Sequence, residues 1–167
     1  MKVANPKQSQ RRRESARRPL LVLDGDSFAH SAYHALPKNI LRDGDRPAGA
    51  ILGFANRLLQ LYRTERPRAV LVGWDTLEAA TYRHEAFAAY QSGREFDDDL
   101  VEQLALIPKF VAACGFANAT MDKKAPLPAL PRQKPTFAKA ATLARKWQLR
   151  QLAGRLEKMA RAELMQR

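Results

Sequence analysis

Residues 20–27 read Leu-Leu-Val-Leu-Asp-Gly-Asp-Ser, and this stretch decides how the rest of the chain is interpreted. An apolar run that ends at once in polar turn formers is typical of a strand buried on both faces, as in a parallel sheet. Residues 69–73 (Ala-Val-Leu-Val-Gly) repeat the pattern and are followed by Trp74 and Asp75. Between the two runs, residues 48–65 place apolar side chains at helical spacing. The sequence therefore predicts an α/β fold with a parallel sheet and flanking helices.

The remainder of the chain predicts further helical structure. Three aspartates at residues 97–99 favour the start of a helix, in which Pro108 is expected to cause a kink or a division. From these patterns we expect four segments: a basic disordered tail (1–19), the α/β domain (20–118), a proline-rich linker (119–135) and one basic amphipathic helix (136–167). That helix has two apolar stripes, Phe137, Ala140, Ala144 and Trp147, then Leu149, Leu152, Leu156 and Met159.

The charge of the chain is concentrated at its two ends. The 167 residues carry a net charge of +12, of which residues 1–19 hold +6 and residues 117–167 hold +9, while residues 20–116 hold −3. Basic segments of this kind attract polyanions such as nucleic acids, and they also occur as solvated tails. The single cysteine excludes a disulfide scaffold, and no apolar run approaches the roughly 18 residues of a membrane span. We expect a soluble cytoplasmic protein.

Asp24 and Asp75 are the first candidate site residues. Each follows a predicted strand, and ligand sites of open α/β sheets lie at the carboxyl ends of the strands. Two carboxylates at one edge repel each other unless a hard cation such as Mg²⁺ lies between them. The alternative is that both aspartates only cap turns.

A second candidate segment follows Asp75. Residues 81–95 interleave arginines with aromatic residues, a composition that suits single-stranded nucleic acid because guanidinium groups bind phosphates and rings stack on bases. The alternative is an amphipathic segment whose aromatic residues pack inward. The three histidines form no recognisable ligand cluster, and Cys114 is expected in the core rather than as a nucleophile.

Ordered sequence blocks carry a family resemblance. They are residues 21–27 (Leu-Val-Leu-Asp-Gly-Asp-Ser), 35–37 (Ala-Leu-Pro), 53–59 (Gly-Phe-Ala-Asn-Arg-Leu-Leu), 74–75 (Trp-Asp), 82–85 (Tyr-Arg-His-Glu), 90–94 (Tyr-Gln-Ser-Gly-Arg) and 103–107 (Gln-Leu-Ala-Leu-Ile). Over residues 20–118 the chain resembles the N-terminal half of the 5′→3′ exonuclease and flap endonuclease family. That family has a PIN-like fold and includes the 5′-nuclease domain of bacterial DNA polymerase I.

The resemblance implies cleavage of DNA at 5′ ends and flaps, with Mg²⁺ or Mn²⁺, during replication and repair in a bacterial cytoplasm. By motif position, Asp24 and Asp75 correspond to metal-binding carboxylates of the family. Arg83 and Arg94 correspond to catalytic basic residues that contact the scissile strand, and Tyr90 and Gln91 fall in the same nucleic-acid-binding segment.

The chain also departs from the family pattern. Gln91 occupies a position where the family commonly has lysine, and a neutral amide supplies no positive charge. The later Glu-Ala-Asp-Asp block, a further aspartate pair and the helix–hairpin–helix are not found in residues 119–167. Two carboxylates are too few to hold two Mg²⁺ ions tightly, and missing strands would leave an open, apolar sheet edge. We interpret the chain as a truncated or rearranged member; the alternatives are a non-catalytic nucleic-acid-binding remnant and a PIN-type ribonuclease.

Overall fold

A computed structural model of the protein describes residues 18–75, 97–120 and 130–165. Strands and helices alternate through the first part of these ranges, and two helices end them. In chain order the elements are β1 (Leu20–Asp24), α1 (Gly25–Ala35), β2 (Leu41–Arg42), β3 (Arg46–Pro47), α2 (Gly49–Glu65), β4 (Ala69–Trp74), α3 (Asp98–Ala113), β5 (Ala117–Thr120), α4 (Phe137–Lys146) and α5 (Arg150–Met165). The α/β fold class predicted from the sequence is confirmed.

The main sheet has the strand order β1-β4-β5, and both of its strand pairs are parallel. The central strand β4 is buried along nearly its whole length, as the apolar run predicted. Burial on both faces is wrong for β1, where Val22 is 59% exposed and Leu20 is also exposed. This strand lies at the end of the described sheet, and a continuous apolar run does not distinguish a central strand from an outer one.

Helix α2 matches the predicted segment and ends where the sequence indicated. Arg66 adopts the left-handed conformation with φ of 45° at the end of the helix, directly before Pro67. The buried face includes Ile51, Phe54 and Leu58, all fully inaccessible to solvent. This face joins the same hydrophobic core as the sheet.

Helix α3 begins after Asp97, whose carboxylate accepts a hydrogen bond from the backbone N–H of Asp99 at 3.1 Å. Pro108 lies inside this helix without dividing it. Leu104, Ile107 and Val111 are buried around the proline, so tertiary packing holds the helix together where one backbone hydrogen bond is missing.

The prediction of one helix over residues 136–167 is wrong. Helices α4 and α5, together called the C-terminal hairpin, are separated by a turn in which Gln148 has φ of 58°. The second apolar stripe starts two residues after the first ends, so at 100° per residue a single helix would direct the two stripes to faces about 120° apart. Reversal at Gln148 lets both stripes enter the core that also contains β4, α2 and α3.

Part of the predicted linker is bound to the sheet. The Gln133 side chain accepts a hydrogen bond from the Val70 N–H at 2.7 Å and donates one to the Val70 carbonyl at 3.0 Å. Thr136 donates from its hydroxyl to the carbonyl of Ala113. Residues 130–136 therefore connect the C-terminal hairpin to the start of β4. Across the described ranges, no helix combines the length and the apolar character needed to cross a bilayer.

Candidate active site

The strand register places the two predicted aspartates at one edge of the sheet. Asp24 is the last residue of β1 and lies opposite Gly73 of β4, and Asp75 directly follows Trp74 at the end of that strand. Asp24 is exposed and Asp75 is partly buried. The predicted position at the carboxyl ends of adjacent parallel strands is confirmed, while the role of these residues as metal ligands stays a prediction.

Asp24 also caps helix α1. Its Oδ1 accepts a hydrogen bond from the Ser27 N–H at 3.0 Å, and its Oδ2 accepts one from the Ser27 hydroxyl at 2.9 Å. The alternative that Asp24 is a turn cap is therefore observed in the structure. An ionised carboxylate has about four lone-pair sites, so capping leaves acceptor capacity for a cation.

Asp26 is a third carboxylate at this edge, and sequence reasoning did not assign it to the site. Its Oδ2 accepts a hydrogen bond from the backbone N–H of Asp75 at 2.6 Å. Burial, followed by the negative charges of Asp75 and Asp24, raises the pKa of Asp26 to about 6. We call Asp24, Asp26 and Asp75 the carboxylate edge. The sequence feature that could have identified Asp26 is the second aspartate of Asp-Gly-Asp, at the end of the first strand.

Tight packing fixes the end of β4 against α1. A Cβ at Gly25 would lie 2.5 Å from the Trp74 ring, so a residue without a side chain is needed beside the indole. The Trp74 ring packs on Phe54 with 5.7 Å between centroids, and its N–H donates to the Asn118 side chain at 2.8 Å. Strands β4 and β5 and helices α1 and α2 thus hold the carboxylate edge in place.

The donor chemistry of the carboxylate edge fits a hard divalent cation. Carboxylate oxygens are the ligands that Mg²⁺ prefers, and the pKa of Asp26 is raised first by burial and then by the negative charges of Asp75 and Asp24, which a cation at this edge would offset. The number of metal-binding side chains is small. Residues 18–75, 97–120 and 130–165 contain no group of three or more His, Cys, Asp or Glu side chains placed to hold a metal ion. Asp24 and Asp75 therefore suit one cation better than two.

The other predicted site residues lie outside the described ranges. Arg83, Tyr90, Gln91 and Arg94 fall in residues 76–96, and their predicted roles stay predictions. Cys114 is fully buried, which raises the pKa of its thiol and confirms that it belongs to the core.

Comparison with known proteins places these observations in a family. Residues 19–124 match the model of the 5′-3′ exonuclease, N-terminal resolvase-like domain. DNA polymerase I of Synechocystis sp. is 37% identical over 112 residues, which is 64% of this chain and 11% of the polymerase. The thermostable DNA polymerase I of Thermus aquaticus is 37% identical over 100 residues, covering 59% of this chain and 12% of the polymerase.

DNA polymerase I of Bacillus subtilis gives a similar match, with 34% identity over 98 residues that cover 58% of this chain and 11% of the polymerase. The chain thus spans about a tenth of the length of the curated relatives it matches. The family match includes β1, which ends in Asp24, and β4, which Asp75 directly follows, and it stops before the C-terminal hairpin. The chain belongs to the 5′-3′ exonuclease N-terminal resolvase-like domain family.

Proposed function

We propose that this chain is a DNA nuclease domain that hydrolyses phosphodiester bonds at 5′ ends and flaps with Mg²⁺ or Mn²⁺. The observation that carries the proposal is the carboxylate edge, where Asp24 ends β1 and Asp75 directly follows the adjacent parallel strand β4. We propose that the domain acts in DNA replication and repair. Its proposed location is a bacterial cytoplasm, close to the nucleoid. Membership of the 5′-3′ exonuclease family supports this assignment.

Asp24 and Asp75 are the proposed metal ligands. A divalent cation held there supplies stabilisation of the negative charge that develops on the phosphate during hydrolysis. Asp26 is a positioning residue, because its hydrogen bond fixes the backbone of Asp75. Asp24 is fixed in turn by Ser27 at the start of α1.

The proposed contacts to DNA come from the segment after Asp75. Arg83 and Arg94 are assigned to the phosphates of the scissile strand, where a guanidinium group forms charge-assisted hydrogen bonds. Tyr90 is assigned to base stacking. Gln91 offers a hydrogen bond to a phosphate oxygen but no positive charge, so we expect cleavage to be slower than with a lysine at this position.

A non-catalytic nucleic-acid-binding domain is the second candidate function. The small number of donors at the carboxylate edge, among the described residues, favours it. The basic charge of residues 117–167 favours it as well, because phosphate binding requires no metal. In this case the α/β core provides the scaffold for the basic surfaces.

Cleavage of a labelled 5′-flap DNA distinguishes the candidates. The purified chain is incubated with the DNA in Mg²⁺ and in EDTA, alongside Asp75→Ala and the control Glu65→Ala, an exposed acid at the end of α2. The proposal predicts Mg²⁺-dependent cleavage that only Asp75→Ala abolishes. Binding without cleavage in all variants would instead establish the non-catalytic function, and cleavage of a matching RNA but not of DNA would indicate a PIN-type ribonuclease.

A further inference from the structure

The C-terminal hairpin is strongly basic on its solvent side. Residues 130–165 contain nine lysines and arginines and two glutamates. All nine basic residues are exposed; they are Arg132, Lys134, Lys139, Arg145, Lys146, Arg150, Arg155, Lys158 and Arg161. This segment lies beyond the 19–124 range of the family match, so the family resemblance assigns it no role.

Helix α5 carries its basic residues on the side opposite its buried apolar residues. Leu152, Ala153 and Leu156 are buried in the core. At 100° per residue, Arg150, Arg155, Lys158 and Arg161 fall within one arc on the other side of the helix, and all four are exposed. We call these four residues the basic face of α5.

Among the described residues, few acidic groups neutralise this surface. Glu157 forms ion pairs with Arg145 and, at 3.9 Å, with Arg161. Glu163 accepts a hydrogen bond from the Tyr62 hydroxyl at 3.2 Å and so faces α2. Within the described ranges, Arg150, Arg155 and Lys158 have no ion-pair partner, and their charges are available to an external polyanion.

Gly154 lies in the centre of the basic face of α5. A Cβ at this position would meet nothing within 4 Å, so packing does not require glycine here. Glycine in a helix interior costs about 1 kcal/mol relative to alanine. The position therefore places no side chain between the basic residues Arg150 and Lys158.

We infer that the basic face of α5 binds the sugar–phosphate backbone of duplex DNA. Membrane insertion is disfavoured because the apolar stripes of α4 and α5 are already buried in the core. Base stacking is disfavoured because the aromatic residues of the hairpin, Phe137 and Trp147, are buried. Contacts to phosphates are then the interaction that this surface offers, and they carry no sequence preference. The inference rests on the proposed function only in taking DNA as the polyanion.

Two double variants of the full chain test the inference. Arg155→Gln/Lys158→Gln removes two charges from the basic face, and Arg63→Gln/Lys109→Gln removes two exposed charges from α2 and α3. Both have the same net charge, and glutamine keeps a helix propensity close to that of lysine and arginine. Anisotropy measures the binding of a labelled 20-base-pair duplex in EDTA at several NaCl concentrations, after circular dichroism has established that each variant is folded.

We expect the α5 pair to reduce the slope of log K against log salt by about 1.8, since each phosphate contact contributes about 0.9. Affinity at low salt then falls about ten-fold or more, and the α2/α3 pair retains the parent slope. Equal effects of the two pairs, or no effect of either, would overturn the inference. The inference would also be overturned if the Arg155→Gln/Lys158→Gln variant lost binding to phosphatidylserine vesicles but bound DNA as the parent does.

The carboxylate edge is tested separately from this surface. Asp75→Ala in EDTA should bind the duplex as the parent does, because the basic face of α5 needs no metal. Cleavage of flap DNA is a different readout, so the proposed nuclease function can fail while the duplex binding stands, and the reverse also holds.

Discussion

The backbone N–H of Asp75 donates a hydrogen bond to the Asp26 carboxylate, with 2.6 Å between the nitrogen and Oδ2. This bond joins the loop after β4 to the first turn of α1, and it brings a partly buried acid next to both candidate metal ligands. The conformation of the carboxylate edge therefore depends on a residue that need not bind the metal itself.

Two substitutions of Asp26 distinguish the contribution of its hydrogen bond to stability from the contribution of its charge. Asp26→Asn keeps an oxygen that accepts the Asp75 N–H and removes one of three neighbouring negative charges. We expect this variant to be at least as stable as the parent at pH 8 in EDTA. Asp26→Ala removes the same charge but leaves the Asp75 N–H without its partner, so its free energy of unfolding should be about 1–3 kcal/mol lower than that of Asp26→Asn. Urea unfolding measures both values; equal stability of the two variants would contradict the hydrogen-bond assignment.

The C-terminal hairpin should unfold together with the sheet. Leu152 is fully buried in the core and Leu164 is 67% exposed, so these two of the three leucines of α5 form a matched pair. Leu152→Ala should lower the free energy of unfolding by about 2–5 kcal/mol, whereas Leu164→Ala should change it by less than about 0.5 kcal/mol. The measurement is urea unfolding followed by both circular dichroism and tryptophan fluorescence, because Trp74 reports on the sheet and Trp147 on the hairpin.

Coincident transitions in both signals are expected for the parent and for the two variants. A separate early transition of the hairpin, or equal effects of the two substitutions, would show that α4 and α5 are not part of the common core.

The hydrophobic periodicity of the sequence predicted the strands and helices more reliably than it predicted how they pack. The runs at residues 20–23 and 69–73 and the helical spacing of residues 48–65 correspond to β1, β4 and α2. The β5 strand was not predicted, because Ala117–Thr120 is short and contains no apolar run. The reversal at Gln148 was missed because neither glycine nor proline marks it, although the phase shift between the two apolar stripes contained the information.

The Gln133 side chain should stabilise β4, because its amide makes hydrogen bonds that a peptide group of a neighbouring strand would otherwise make. Its amide makes two hydrogen bonds to the backbone of Val70, at 2.7 and 3.0 Å. Gln133→Ala should therefore lower the free energy of unfolding by about 1–3 kcal/mol, as measured in urea. Gln148→Ala is the wrong comparison because of its positive φ; the exposed Gln151→Ala on α5 is the suitable control and should have little effect. Equal stability of Gln133→Ala and the parent would show that the two side-chain hydrogen bonds of Gln133 add nothing to the stability of the fold.

Asp97 should contribute to the acid dependence of stability. The Tyr33 hydroxyl, then the Asp99 N–H and the Lys38 ammonium, stabilise the ionised carboxylate and lower its pKa below the ordinary value of 3.8. A lowered pKa stabilises the folded state above the ordinary value, and this contribution is lost as the pH falls through the folded pKa. We expect Asp97→Asn, which keeps a residue suited to an N-cap, to lose less stability than the parent between pH 5 and pH 3.

Thermal unfolding at half-unit pH steps provides this comparison. Asp98→Asn, a change in the first turn of the same helix, serves as the control for removing one carboxylate near its N-terminus. Parallel pH profiles for the parent and Asp97→Asn would contradict the assigned role of the Tyr33 contact.

The candidate site was only partly predictable from the sequence. Asp24 and Asp75 were placed at one edge because carboxyl ends of adjacent parallel strands must meet there, and the register of β1 and β4 agrees. Asp26 was not assigned, because its contact with Asp75 depends on how the first turn of α1 meets the loop after β4. The contributions of Arg83, Tyr90, Gln91 and Arg94 rest on motif position, since these residues lie outside the described ranges.

Thermal unfolding with and without divalent cation tests the central claim, that Asp24 and Asp75 together hold Mg²⁺ or Mn²⁺. Binding to the native state at 100 times Kd stabilises it by about 2.7 kcal/mol. For a chain of this size we expect a rise in Tm of about 5–10 °C in saturating MgCl2 or MnCl2, relative to NaCl of equal ionic strength. The rise should be absent in Asp24→Asn and in Asp75→Asn and retained in Glu65→Gln. An unchanged Tm of the parent, or an equal rise in all variants, would contradict the claim.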